Sequence, residues 1–180
     1  MSRPARLVLA LTLLVLASPR AQAQDTDATL RRFANQPLIK EPSFPAPTDL
    51  IYKIVWDVNV GAEKPEGIPD GFRRPAGFLM QTDDNGVPRR NVHLAIIVYG
   101  TAARSLMTNA GYRAQTGTDN ASIPLLQALN AAGVRIIVCG EALLGRNIPR
   151  DQLLPFVEVA TTATLARATL AMQGYATFWP

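Results

Sequence analysis

The stretch VRIIVCGEALLGRNI, at residues 134–148, joins a β-branched apolar run to a helical segment and contains the single cysteine of the chain, Cys139. A short and almost continuous apolar run is typical of a strand that is buried on both faces of a parallel sheet. Gly140 allows the chain to turn, and the residues after it favour a helix. The stretch therefore predicts a strand that ends at Cys139 and leads directly into a helix.

Four further runs have the composition of strands. They are LIYKIVWDV at residues 50–58, VHLAIIVYG at 92–100, FVEVA at 156–160 and GYATFW at 174–179. Amphipathic segments separate them, as in IPLLQALNAAGV at residues 123–134 and TTATLARATLAMQGY at 161–175. Strands that alternate with helices predict an α/β fold, a three-layer α/β/α sandwich around a mainly parallel five-stranded sheet.

The ends of the helices also have local signals. Gly133 and Gly174 are helix-stop residues, and Thr161 and Thr162 are suited to an N-terminal cap. In DGFRRPAGFLMQTDDNG, Pro75 would break a helix that started at the beginning of the segment. We therefore expect this helix to begin near Pro75 or to be kinked there.

Residues 1–23 have the features of a secretory signal. Arg3 and Arg6 precede an apolar run at residues 7–17, and AQA at the end of the segment is a small-x-small cleavage site. The run is shorter than the roughly 20 residues that a membrane-spanning helix needs. We therefore expect a secreted, periplasmic protein without a membrane span.

The rest of the chain divides into two parts. Residues 24–49 contain four prolines and show no helical or strand period, which predicts a Pro-rich extended arm that contributes little to a core. Residues 50–180 have the length of one ordinary domain. We expect the α/β sheet and its helices in this second part.

Removal of residues 1–23 changes the charge balance. It takes three arginines and no acidic residue from a chain with 18 basic and 14 acidic residues, which leaves a net charge near +1. The basic character belongs mostly to the signal, so it does not indicate nucleic acid or an anionic membrane as a partner.

Cys139 cannot form a disulfide within the chain. A single thiol in an oxidising compartment is buried and inert, bridges two chains, or is reactive. Backbone N–H groups and the positive end of a helix dipole at a strand-to-helix turn favour the nucleophilic thiolate. Free cysteine is also among the most buried residue types, so the pattern leaves the inert and the reactive alternatives open.

Ligands of a doubly wound sheet bind beyond the carboxyl ends of the strands. Several residues at the predicted strand ends are placed to converge with Cys139 around a small pocket, although ordinary loop structure would also explain them. The candidate binding residues are Asp57, Tyr99, Gly100, Gly140, Glu141 and Thr161.

His93, the single histidine, lies at the start of its predicted strand. That is the opposite end of the sheet from Cys139, so no Cys–His pair is expected. No cluster of His, Cys, Asp and Glu has metal-ligand spacing, and YGTAAR at residues 99–104 has one glycine where a phosphate-binding loop needs several. The sequence therefore predicts no metal and no cofactor.

The cysteine segment AAGVRIIVCGEALLGRNI resembles that of the DsrE/DsrF-like family, in which a Gly-Val opens the strand that ends in the cysteine. YKIVWDV and NVHLAIIVYG resemble the first two strands of the family, and DNASIPLLQALNAAGV resembles its intervening helix. LLPFVEVATTATLARATLAMQGYATF is similar to its closing strand–helix–strand unit. QPLIKEPSFPAPTDLIYK is similar to the Pro-rich lead-in of exported members.

The resemblance implies a sulfur carrier that holds a persulfide on Cys139. Its partners would be a sulfane-sulfur donor or an acceptor thiol, and a homo-oligomer, a trimer or hexamer, is expected. Phe178 and Trp179 would pack on the core or on a neighbouring subunit. Two departures are that Tyr99 replaces a histidine often found at the end of the second strand, and that Pro75 interrupts the first helix.

Sulfurtransferase-like sulfur transfer in the periplasm is therefore the predicted function. The alternative is a non-catalytic oligomeric module that binds a small molecule or a protein and in which Cys139 is buried and inert.

Overall fold

The computed structural model describes residues 19–34, 36–37 and 39–178. Most of the signal expected over residues 1–23, and Trp179 of the aromatic tail, lie outside these residues. Within the part of the chain that is described, no helix is both long enough and apolar enough to cross a membrane.

A parallel sheet of five strands forms the centre of the described domain, in the order β4-β3-β2-β1-β5. The strands are β1 Tyr52–Val58, β2 Val92–Val98, β3 Arg135–Cys139, β4 Glu158–Ala160 and β5 Ala176–Phe178. Every neighbouring pair is parallel, so all the carboxyl ends lie at the same edge of the sheet. The predicted α/β fold is confirmed, and each strand lies within the run that predicted it.

Six α-helices surround the sheet in the described residues. They are α1 Pro19–Ala34, α2 Arg73–Asp84, α3 Asn109–Thr116, α4 Ile123–Ala131, α5 Gly140–Leu144 and α6 Ala163–Met172. Short 3-10 helices occur at Asp70–Phe72, Arg89–Asn91, Gly100–Leu106 and Arg150–Gln152.

The two faces of the sheet are buried by different helices. Ile54, Trp56 and Val58 of β1 belong to a large apolar cluster that also contains side chains of α1, α2, α4 and α5. Val55 belongs to a smaller cluster on the other face, which includes Leu170 of α6. Because successive side chains of a strand point to opposite faces, burial on both sides requires the nearly continuous apolar runs seen in the sequence.

The helix ends agree with the local signals. The Thr162 hydroxyl accepts a hydrogen bond from a backbone N–H in the first turn of α6 at 3.0 Å. Gly133 and Gly174, which follow α4 and α6, have φ angles of +85° and +86°, in the left-handed region that favours glycine. Pro75 lies in the first turn of α2, where its missing N–H would have no partner within the helix.

The start of the predicted arm is a helix rather than an extended chain. Residues 24–34 belong to α1, and Leu30 is fully buried in the large cluster. Arg31 also donates a hydrogen bond to Asp84 of α2 at 2.9 Å. The prediction is therefore wrong for this part, because all four prolines come after α1 and do not affect it. Residues 39–49 contain no helix or strand, as expected.

Candidate functional site

The carboxyl ends of β2, β3 and β4 meet in one row around Cys139. Cys139 is the last residue of β3 and pairs with Ala160, the last residue of β4. On the other side, Val138 pairs with Val98 at the end of β2, so Tyr99 follows beside Cys139. Neighbouring strands are roughly 4.8 Å apart, which makes this row a compact edge.

Cys139 occupies the N-terminal cap position of α5, with φ −70° and ψ 120°. The strand therefore turns into a helix at this residue, as its sequence predicts. The residue is only 6% exposed and packs in the large apolar cluster. No group in the described residues forms a hydrogen bond with the thiol. The thiol thus lies at the edge of the sheet where ligands bind, but below the surface.

Gly140 brings the start of α5 against the end of β4. A Cβ atom at Gly140 would lie 2.9 Å from the carbonyl oxygen of Ala160 and 3.2 Å from that of Thr161. A larger residue would push the two segments apart, so glycine fixes the close approach beside Cys139. The Thr161 and Glu141 side chains are exposed next to this contact. These four predicted residues, Cys139, Gly140, Glu141 and Thr161, are therefore brought together.

Asp57 lies two strands from Cys139, and its carboxylate already has a partner. Arg167 of α6 donates two hydrogen bonds to it, from Nε at 3.0 Å and from a terminal nitrogen at 2.8 Å. Asp57 is 4% exposed. Arg167 was not among the residues predicted from the sequence, although a single charged residue in the otherwise uncharged α6 is a signal that a buried partner exists.

Tyr99 lies between the residues around Cys139 and the Asp57–Arg167 ion pair. It is half-buried and packs against both apolar clusters. Burial raises the pKa of the Tyr99 phenol above its ordinary value, the charge of Asp57 raises this pKa further, and the charge of Arg167 opposes both effects. The phenol is therefore protonated at neutral pH, so it can donate a hydrogen bond but does not serve as a base.

Gly100 makes the turn after β2 possible. Its φ is +56°, and a Cβ atom would lie 2.4 Å from the carbonyl oxygen of Asn59. The neighbouring loops are linked by a hydrogen bond from the Gly61 N–H to the Thr101 hydroxyl at 2.8 Å. Gly100 thus positions the loops at the edge of the sheet and offers no side chain to a ligand.

Asp57 also lines a cleft of about 660 Å³ beyond β1, whose walls are the loop after β1 and the start of α2. Cys139 is not part of its lining. The predicted binding residues therefore form two groups: one is centred on Cys139, and the other adjoins this cleft.

His93 is exposed at the amino end of β2, opposite the edge that holds Cys139, as its position in the sequence predicts. Within the described residues, no group of three or more His, Cys, Asp or Glu side chains could hold a metal ion.

This chain is an α/β protein with a parallel sheet and a single cysteine at the carboxyl end of an inner strand. The model of the DsrE/DsrF-like family matches residues 79–180, and the chain belongs to this family.

Among solved structures, a protein of unknown function from Methanobacterium thermoautotrophicum is similar to this chain. The sequence identity is 18% and the TM-score 0.48, over 72% of this chain and 99% of that one. A comparison with curated proteins finds no match.

Proposed function

We propose that this protein is a periplasmic, thiol-based sulfur carrier that holds a persulfide on Cys139. Membership of the DsrE/DsrF-like family is consistent with a role in sulfur relay. The observation that carries the proposal is the position of Cys139, the last residue of an inner strand and the cap of α5, at the edge where α/β proteins bind ligands.

The chemistry needs one sulfur atom of the protein and no external oxidant. The Cys139 thiolate attacks the outer sulfur of a donor R–S–SH; an S–S bond forms at Cys139, the donor S–S bond breaks, and R–S⁻ leaves with the electron pair. An acceptor thiolate R′–S⁻ then attacks the same outer sulfur, which gives R′–S–SH and restores the Cys139 thiolate. A resolving cysteine would be needed only to close an internal disulfide, and the chain has none.

Burial of the thiol sets a condition on this chemistry. Because Cys139 is 6% exposed, a donor reaches the sulfur only when the residues that cover it open locally. Gly140 and the short helix α5 follow the thiol directly, so movement of this corner is the route of access that we propose. A small polysulfide is therefore a better probe donor than a bulky one.

Intact-mass measurement of the reduced protein after incubation with polysulfide tests the proposal. We expect a gain of about 32 Da, one sulfur, that is reversed by reductant and absent in Cys139→Ser. If the wild-type mass does not change while an unfolded sample is modified, sulfur transfer at Cys139 is excluded.

The burial of Cys139 also favours the second candidate function, a non-catalytic binding module with an inert thiol. Alkylation distinguishes the two. A carrier reacts with iodoacetamide under native conditions, whereas an inert thiol reacts only at the rate of global unfolding.

A homo-oligomer, a trimer or hexamer, belongs to the same proposal. Leu165 and Met172 of α6 and Phe178 of β5 are half exposed or more. If these side chains form one apolar patch, a second copy would cover it. Light scattering at micromolar concentration should give a mass of at least three chains, and a monomer would contradict this assembly.

A further inference from the structure

The cleft beyond β1 has a volume of about 660 Å³, within the range of roughly 300–1,000 Å³ that is usual for small-molecule sites. Its walls are formed by residues 57–64, 67–68, 70–71 and 73–74. These residues precede residue 79, where the match to the family model begins. The cleft is therefore a feature of this chain outside the matched region.

Arg73, which lines the cleft, is oriented but not neutralised. A terminal nitrogen donates a hydrogen bond to the carbonyl oxygen of Phe33 at 3.3 Å, and the guanidinium lies 5.8 Å from the centre of the Phe33 ring. Its ion pair with Asp70 is 3.7 Å long, and the Asp70 side chain is 99% exposed. Such a pair contributes little, so the positive charge of Arg73 remains available to a ligand.

Arg74 and Lys64 add two further cationic side chains to the lining. Neither forms a hydrogen bond or an ion pair with any residue in the described part of the chain. Arg74 is half-buried, but its guanidinium is not among the buried polar groups that lack a partner, so it stays in contact with water in the cleft. An anion in the cleft would replace this water as the acceptor for the guanidinium.

The acidic residues of the lining do not cancel this charge. Asp57 is paired with Arg167, so Glu63 and Asp70 oppose the three cations Lys64, Arg73 and Arg74, and the lining keeps a net charge of +1. A planar guanidinium recognises a carboxylate or a phosphate with two parallel hydrogen bonds, which makes an oxyanion a better fit than a halide.

We propose that this cleft binds a small molecule that carries an oxyanion, with Arg73 and Arg74 on one wall and Lys64 on the other. The site lies two strands from Cys139 and does not depend on the sulfur-carrier chemistry proposed there.

Titration with inorganic phosphate and, separately, with succinate tests the proposal and distinguishes the two sources of the oxyanion. The backbone amides of Gly67 and Gly71 line the cleft and serve as reporters in ¹⁵N NMR spectra. We expect saturable shifts of these amides at millimolar concentration with at least one of the two anions.

Arg74→Gln removes one of the three cations of the lining and should raise the Kd at least about tenfold, which is about 1.4 kcal/mol of binding free energy. Lys64→Gln provides a second variant in an exposed loop. Arg90→Gln is the matched control, because Arg90 is exposed and does not line the cleft, and its Kd should stay within about twofold of the wild-type value.

The absence of saturable shifts with both anions would overturn the proposal. Equal weakening by Arg74→Gln and Arg90→Gln would also overturn it, because it would indicate a general effect of surface charge. Cys139→Ser should bind the anion as the wild type does, which separates this test from that of sulfur transfer.

Discussion

Asp57 and Arg167 form a two-point ion pair that joins β1 to the middle of α6, with both hydrogen bonds at 3.0 Å or less. α6 connects β4 to β5, which are the two edge strands of the sheet. The ion pair therefore holds the connection through α6 against the sheet near its carboxyl edge. The side chain of Arg167 is 18% exposed and that of Asp57 is 4% exposed, so water screens the interaction only weakly.

Arg167→Met should lower the free energy of unfolding by about 3–5 kcal/mol, because it leaves the carboxylate of Asp57 buried without its partner. Urea denaturation followed by circular dichroism measures the change. The double variant Asp57→Asn/Arg167→Met removes both charges and should recover a large part of the loss. A single variant as stable as the wild type would show that the pair does not hold α6 in place.

Leu30→Ala should lower the free energy of unfolding by about 2–5 kcal/mol, because Leu30 is fully buried where α1 meets the large cluster. Ile39→Ala is the matched control, since Ile39 is 67% exposed in the segment after α1 and should change stability by less than about 0.5 kcal/mol. Equal midpoints for the two variants in thermal melting would mean that α1 is not part of the cooperative fold.

Gly100→Ala should destabilise the protein more than Gly86→Ala does. Both glycines have positive φ, and this alone costs an alanine about 1–2 kcal/mol. A Cβ atom at Gly86 meets nothing within 4 Å, whereas at Gly100 it would lie 2.4 Å from the carbonyl oxygen of Asn59. The difference between the two unfolding free energies measures this clash. No difference would indicate that the loop after β1 moves away without cost.

Protonation of Glu158 should cause a small loss of stability in acid. Its hydrogen bonds with Arg135, at 2.9 and 2.7 Å, hold the pKa of this carboxyl below its ordinary value. The stabilisation is complete above the ordinary value and is lost as the pH falls through the lowered pKa. The side chains are 41% and 47% exposed, so the contribution is below about 1 kcal/mol.

Urea denaturation of the wild type and Glu158→Gln at several pH values measures this contribution. The wild type should be the more stable protein at pH 7, and the two unfolding free energies should converge in acid. A difference that does not change with pH would contradict an electrostatic origin.

The sheet could be predicted because each strand has a recognisable apolar pattern in its own stretch of sequence. β3 is a β-branched run that ends at Cys139 and is followed by Gly140, and both residues lie where that pattern places them. The partner of Asp57 could not be found in this way, because Arg167 is separated from it by 110 positions. Local patterns carry no information about which distant residues meet, nor about how deeply Cys139 is buried.

Residues 24–49 show a different limit of prediction from sequence. The prolines of residues 24–49 predict an extended chain over the whole segment, whereas they affect only the residues after α1. Leu30 and Phe33 lie three residues apart and face the core from one side of this helix. When residues 24–34 are considered apart from the proline-containing residues after them, the sequence distinguishes the helix from the extended segment.

α1 begins at Pro19, ahead of the predicted cleavage position after Ala23. Proteases act on backbone that is locally unfolded, so a cut at this position requires the first turns of α1 to be unfolded. The segment that begins at Gln24 would then carry Leu30 and Ala34, the residues of α1 that belong to the large cluster. If residues 1–23 act as the expected signal, their removal would take place while the start of α1 is still unfolded, so maturation and folding would be coupled in time.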